Sequence, residues 1–198
     1  TVNLSVSYSR NDIDLPNGSV VTNLTNVRAA YNFSPRLFVQ TLLQHNDSAD
    51  LWSANLRLGL LGQANTGLFI VYILVRCMLR PAAGPRLPLY SEAAFFNFSN
   101  MVDLYPSLTL KPVDNVTLMA GPDFLWRQDK ADGVYIGPSG ASFAPYDGSR
   151  YVGTALNLEA SWQTTRRLSF RLFETYFSAG DGFARNGGRN GNYFGLLS

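Results

Sequence analysis

The chain has 198 residues, enough for one domain with a sizeable core, and its formal net charge of +2 at pH 7 is too small for a nucleic-acid-binding surface. Charged residues make up 15% of the chain, against about 25% in a typical soluble domain, and only three Glu and two Lys stand against sixteen Asn. This composition argues against a helical protein, and the longest apolar run, eight residues at 68–75, is too short for a spanning helix of about 20 residues.

Alternation of apolar and polar residues, which is typical of a strand with two different faces, runs along most of the chain. In the first such segment Val2, Leu4 and Val6 alternate with Asn3 and Ser5. The pattern predicts ten strands, at residues 2–9, 27–33, 37–44, 52–60, 68–75, 102–111, 116–127, 152–163, 168–172 and from 193 onward. We therefore expect one all-β domain over residues 1–198.

The connections between these strands alternate in length. Short turns are predicted at 34–36, 62–66, 112–115 and 164–167, and longer connections at 10–19, 45–50, 77–100, 129–149 and 180–192. Short turns at one end and long loops at the other are typical of an up-and-down transmembrane barrel. We predict an antiparallel up-and-down transmembrane β-barrel of about ten strands, with residues 92–98 in a loop. Pro106 and Pro122 fall inside predicted strands, so we expect either bulges there or strands that begin later than the alternation indicates.

The two faces of the predicted strands differ in charge. The apolar face carries one charged residue, Glu174, near the end of a predicted strand. The polar face carries Arg28, Arg57, Asp103, Lys111, Asp123, Arg127, Glu159 and Arg171. A charge that faces lipid costs about 2–4 kcal/mol at the bilayer midplane, so this sorting suits a barrel with lipid outside and a polar lumen. A soluble barrel would sort its residues in the same way, but its outer face would be rich in Lys and Glu.

Aromatic residues lie near the ends of the predicted strands, where a membrane barrel has its interfacial girdle. The predicted girdle consists of Tyr31, Trp52, Trp126, Tyr151, Trp162 and Tyr176. This placement favours the membrane barrel and makes the lipid bilayer an expected partner.

Four stretches of the second half, NMVDLYPSLTLKP, FLWRQDKADGVY, RYVGTALNLEASWQTTRRLSF and YFSAGDGFARNGGRNGNYF, resemble the closing strands of the alginate-export family of outer-membrane β-barrels. The resemblance covers residues 94–198. The composition of residues 75–88 is unlike either flank, so a junction or a divergent loop is expected there. Barrels of this family have more than ten strands and usually end in an aromatic residue, whereas this chain stops at residue 198 within a strand, so a truncated chain is expected.

The resemblance implies a porin or exporter in the bacterial outer membrane that gives passive passage to an anionic polysaccharide or similar solute. It also implies the outer-membrane assembly machinery as a partner. Basic side chains that line the pore set selectivity in this family, and the matching candidates are Arg127 and Arg171. Two further arginines follow from the polar-face pattern alone, and two carboxylates are placed to pair with the arginines. The predicted pathway thus consists of Arg28, Arg57, Asp123, Arg127, Glu159 and Arg171.

The sequence predicts no enzyme, no metal site and no cofactor. His45 is the only histidine, and it lies at a strand end before a polar loop, where a solvated side chain is expected. The single cysteine, Cys77, excludes an internal disulfide framework and a cysteine-based zinc cluster. Three functions stay open: an outer-membrane porin or exporter, a soluble or periplasmic β-barrel that binds a small ligand, and a membrane barrel that only anchors.

Overall fold

The computed structural model describes residues 1–15, 18–47, 51–62, 66–77, 96, 100–136, 141–146, 148–166 and 168–197. These residues form twelve β-strands and one short α-helix. The elements are β1 (Val2–Leu15), β2 (Gly18–Asn32), β3 (Leu37–Asn46), β4 (Leu51–Leu61), β5 (Gly67–Cys77), β6 (Met101–Val113), β7 (Val116–Arg127), β8 (Val134–Ile136), β9 (Ala141–Phe143), β10 (Tyr151–Gln163), β11 (Ser169–Ala179), α1 (Asp181–Arg185) and β12 (Gly191–Leu197). Within these ranges no helix is long and apolar enough to cross a membrane.

Ten of the strands form one antiparallel sheet, in the order β1-β2-β3-β4-β5-β6-β7-β10-β11-β12. The strands β8 and β9 form a separate hairpin, so β7 pairs with β10. The ten predicted strands and the all-β, up-and-down architecture are confirmed. The sheet is open, because the described residues of β1 pair with β2 alone and those of β12 pair with β11 alone. The predicted closure into a barrel, which needs hydrogen bonds between the two edge strands, is therefore not seen in the described part of the chain.

The first connection of the sheet differs from the prediction. Strand β1 continues to Leu15 and β2 begins at Gly18, so the predicted long connection at 10–19 is wrong and an extended hairpin takes its place. Strands pair through backbone hydrogen bonds, so a polar stretch can continue a strand after the apolar alternation has stopped. At the other end of β2 the predicted short turn is present, and Ser34 Oγ closes it by accepting hydrogen bonds from the N–H groups of Arg36 and Leu37.

The long connections contain structure that the sequence does not predict. The hairpin of β8 and β9 lies between β7 and β10, Phe96 forms an isolated bridge with Ile136, and α1 lies between β11 and β12. Elements of three to five residues are too short to show a periodic pattern. Of the predicted loop at 92–98 only Phe96 is described, and the predicted junction at 75–88 lies outside the described residues from residue 78 onward.

Pro106 of β6 and Pro122 of β7 lie opposite each other in the sheet. Pairing between the two strands stops at Leu104 and Phe124 and resumes four residues later in the same register. The predicted bulges are therefore wrong at both prolines, because no residue is inserted, and the alternative of later strand starts is wrong too, because β6 begins at Met101 and β7 at Val116. Each proline lacks an N–H group, so the backbone hydrogen bonds at this position are missing while the register of the two strands is unchanged.

Candidate functional site

The register of the sheet separates the predicted pathway residues from the predicted girdle. Cross-strand partners lie on the same side of a sheet, so each face can be followed across the ten strands. One side, which we call the polar face, carries Arg28, Arg57, Asp123, Arg127, Glu159 and Arg171. The opposite side, which we call the apolar face, carries Tyr31, Trp52, Trp126, Tyr151, Trp162 and Tyr176. That the polar-face residues line a pathway stays a prediction.

The apolar face is exposed along its length. Leu4 of β1 is 69% exposed, Leu60 of β4 is 49% exposed and Trp162 of β10 is 51% exposed, although these strands lie far apart in the sheet. Water-soluble proteins seldom expose a contiguous apolar surface on this scale, and such a surface marks a contact with lipid or with protein.

Five of the six predicted girdle aromatics lie at two levels of the apolar face, whereas Tyr176 pairs with Leu156 in the middle of β10 and lies between those levels. Trp52, Trp126 and Tyr151 lie at the end of the sheet with the long loops, where the rings of Trp126 and Tyr151 are 5.8 Å apart between centroids. Tyr31 and Trp162 lie at the end with the short turns. We call these two ends the loop side and the turn side.

Glu174 lies in the middle of β11 and not near a strand end as predicted, because the strand runs from Ser169 to Ala179. On the apolar face it lies between Leu158 and Phe194. If this face contacts lipid, Glu174→Leu should raise the free energy of unfolding in lipid vesicles by up to about 2 kcal/mol. Denaturant unfolding in vesicles measures this, with Glu159→Leu on the polar face as the control that should not stabilise. No gain for Glu174→Leu would contradict lipid contact at this position.

Arg127, at the loop-side end of β7, is the most deeply buried of the predicted pathway residues, with 1% of its surface exposed. Its Nη2 donates hydrogen bonds to the carbonyl oxygens of Tyr146 at 3.0 Å and Ser149 at 3.2 Å, and Nη1 donates to that of Lys130 at 3.3 Å. The guanidinium carbon lies 3.7 Å from the centroid of the Tyr146 ring. These contacts bind Arg127 to the segment that connects β7 to β10.

The loop-side end of the polar face is covered by two segments, residues 128–149 and 180–190, whose described residues we call the cover. Val134, Tyr146 and Phe183 of the cover belong to one apolar cluster with sheet residues of the polar face. The sheet residues in that cluster are Met101, Leu125, Val152, Ala155 and Phe177. Burial raises the pKa of the Tyr146 hydroxyl, and the neighbouring Arg127 guanidinium acts in the opposite direction.

Asn100, which comes directly before β6, forms three hydrogen bonds with the cover. Its Nδ2 donates to the carbonyl oxygens of Asp129 at 2.9 Å and Gly133 at 3.0 Å, and its Oδ1 accepts from the Asp129 N–H at 2.6 Å. Its φ of 55° lies in the left-handed region, which asparagine tolerates better than most residues. The sequence analysis did not find Asn100, because a single asparagine before a strand carries no signal of a contact 29 to 33 residues away.

The middle of the polar face holds buried polar side chains. Thr175 Oγ1 donates a hydrogen bond of 2.9 Å to Asn157 Oδ1. Asp123 is buried, and its Oδ1 has no hydrogen-bond partner among the described residues. Glu159 accepts a hydrogen bond of 3.1 Å from Ser161. The pairing of Asp123 and Glu159 with arginines stays a prediction.

Three arginines lie in the turn-side half of the polar face. Arg28, Arg57 and Arg171 each lie within four residues of the turn-side end of their strands. Arg28 and Arg57 are exposed, and Arg171 is partly buried. The structure thus places these three at one level, with Asp123 nearer the middle and Arg127 at the opposite end.

Comparison with known families assigns the chain to a family, and the match lies mainly in the second half of the chain. The profile of the family described as alginate export matches residues 83–196. The chain belongs to the alginate export family. The resemblance seen at residues 94–198 is therefore confirmed. No curated protein and no solved structure matches the chain.

The alginate export match takes in four of the six predicted pathway residues. Asp123, Arg127, Glu159 and Arg171 lie inside the matched range, whereas Arg28 and Arg57 lie before it. Membership of an export family implies outer-membrane polysaccharide export. The described residues contain no group of three or more His, Cys, Asp or Glu that could hold a metal ion.

Proposed function

We propose that this chain forms the wall of an outer-membrane channel that gives passive passage to an anionic polysaccharide or a related carbohydrate. The apolar face contacts lipid, and the polar face lines the water-filled pathway. Insertion by the outer-membrane assembly machinery is part of the same proposal.

The single observation that carries the proposal is the sorting of the sheet into two faces, with Glu174 as an exception on the apolar face. Across ten strands, leucine, valine and aromatic side chains stand exposed on one side, and the six charged candidates stand on the other. A transmembrane barrel has this arrangement, because lipid solvates the outside and water solvates the lumen.

The spacing of the girdle supports the membrane assignment. Tyr151 and Trp162 mark its two levels on the single strand β10. At about 3.3 Å per residue they are about 36 Å apart along the strand, or about 25 Å along the membrane normal for a tilt of about 45°. The apolar band of outer-membrane barrels is also about 25 Å tall.

The three turn-side arginines support a preference for anions. A guanidinium group stays charged at every physiological pH and binds carboxylates through two parallel hydrogen bonds. Several such sites of modest strength let an anion enter and still leave, which conduction requires.

The cover favours a second candidate, a membrane barrel that anchors without conducting. Its apolar cluster fills the loop-side end of the polar face, where a pathway has to open. A soluble binding module is less well supported, because its exposed apolar face would lie in water.

Reconstitution of the full chain tests the proposal. We expect extraction from membranes to require detergent, and the purified protein to give discrete single-channel steps in planar bilayers with a reversal potential that favours anions. Extraction in buffer alone would contradict membrane insertion. Stable insertion without steps would contradict conduction and support the anchoring barrel.

A further inference from the structure

Two arginines of the polar face lie over aromatic rings. In β4 and its neighbours, the Arg57 guanidinium carbon lies 4.6 Å from the centroid of Phe69 and 6.0 Å from that of Phe38. In β11 and β12, the guanidinium carbon of Arg171 lies 5.7 Å from the centroid of Phe173, which stacks on Tyr193 at 5.7 Å.

Each group places one ring on a glycine of the next strand. Phe38 pairs with Gly59 across the sheet, and a Cβ atom built on Gly59 would collide with the Phe38 ring. Phe173 pairs with Gly195, where an added Cβ would collide in the same manner. The glycines therefore let the rings lie against the wall, and a side chain at either position would lift them from it.

The Arg57 group leaves hydrogen-bond donors available. Arg57 is exposed, and its guanidinium contacts ring faces, with no hydrogen bond to an acceptor among the described residues. Stacking on a ring fixes the plane of a guanidinium and leaves the N–H groups at its edge free to meet a planar anion. Phe38 and Phe69 are only partly buried, so apolar ring surface lies beside these donors.

We propose that the Arg57 group (Arg57, Phe38 and Phe69) is a binding subsite for one acidic sugar unit of a polysaccharide. The guanidinium binds the sugar carboxylate through two hydrogen bonds, and the apolar C–H side of the sugar ring packs on the aromatic ring. This proposal rests on the proposed function, because it assigns the polar face to the transported polymer.

Calorimetric titration of the detergent-solubilised full chain tests the Arg57 subsite, with an acidic oligosaccharide of uronic acids and a neutral oligosaccharide of equal length as probes. Arg57→Gln should weaken binding of the acidic probe by about tenfold and leave the neutral probe unchanged. Phe69→Leu should weaken binding of both probes by about threefold. The matched controls are Arg36→Gln and Phe33→Leu, which make the same changes in an exposed turn and should leave both affinities unchanged.

Wild-type affinity for both probes in Phe69→Leu would overturn the subsite, since charge alone would then explain binding. An equal effect of Arg57→Gln and Arg36→Gln on the acidic probe would overturn it as well. If Phe69→Leu does not fold, Arg57→Lys replaces it: the charge is kept, the planar fork is lost, and unchanged affinity for the acidic probe would count against the proposal. These titrations measure equilibrium binding, so a chain that conducts without ring-dependent binding refutes only the subsite, and ring-dependent binding without conduction refutes only the channel.

Discussion

Arg127→Met should detach the cover from the polar face and give channels of larger and noisier conductance. The buried guanidinium donates to three carbonyl oxygens of the segment between β7 and β10 and stacks on Tyr146. Methionine has similar length and apolar character but no donor, so the carbonyl groups of Tyr146 and Ser149 lose their bonds to this side chain.

The expected size follows from the type of bond. A hydrogen bond to a charged group contributes about 1.5–3 kcal/mol, and the longest of the three bonds, to Lys130, contributes least. If the closed form of the cover is destabilised by about 3 kcal/mol, the population of its open form rises by roughly a hundredfold. Chymotrypsin cleavage near Phe143 and Tyr146 should accelerate by a similar factor, because cleavage of a locally opened segment follows the open population.

The control is Arg150→Met, which removes an exposed arginine just before β10. It should change neither the cleavage rate nor the conductance. Equal cleavage rates in Arg127→Met and Arg150→Met would show that Arg127 does not hold the cover. Faster cleavage with unchanged conductance would show that the cover does not restrict the pathway. Arg127→Lys keeps the charge but cannot reach three carbonyl oxygens in one plane, so it should open the cover partially and serves if the methionine variant does not fold.

The sequence predicts the strands and their two faces well, because both depend on a local property. A residue in a strand points to the side opposite its neighbours, so alternation alone separates Arg57 from Leu56 and Leu58 without knowledge of any partner strand. The same reasoning fails at residues 10–15, where backbone pairing continues although the apolar alternation has ended.

The contacts of the candidate site depend on register and on long loops, which alternation does not encode. Arg127 has the pattern of a lumen residue, yet its partners are carbonyl oxygens up to 22 residues away, in a loop with no periodic signal. The stacking of Phe38 and Phe69 with Arg57 requires that β3, β4 and β5 pair with Gly59 between the two rings. A phenylalanine on the polar face was the signal available in the sequence, since an apolar ring at a lumen position needs a partner.

Replacing Arg28, Arg57 and Arg171 together with glutamate should reverse the ion preference of the channel from anions to cations. These residues share the turn-side half of the polar face, and Arg28 and Arg57 are exposed there. Fixed charges on the wall of a narrow pore set which ions concentrate inside it, and the field is focused where the surrounding medium has a low dielectric constant. Arg127 is left unchanged in this variant, because it is buried beneath the cover and a glutamate there would detach the loop.

The reversal potential under a salt gradient measures the preference, and it should change sign in the triple variant. The control replaces Arg36, Arg166 and Arg189 with glutamate, which changes the net charge of the chain equally at exposed positions outside the strands. If net charge alone set the preference, both triple variants would shift the potential by the same amount. If the polar face lines the pathway, only the first reverses it, and the effect shrinks as salt rises because the Debye length falls from about 10 Å at 0.1 M to about 3 Å at 1 M. An unchanged sign in the first variant would exclude these arginines from the pathway, whichever residues form the rest of the wall.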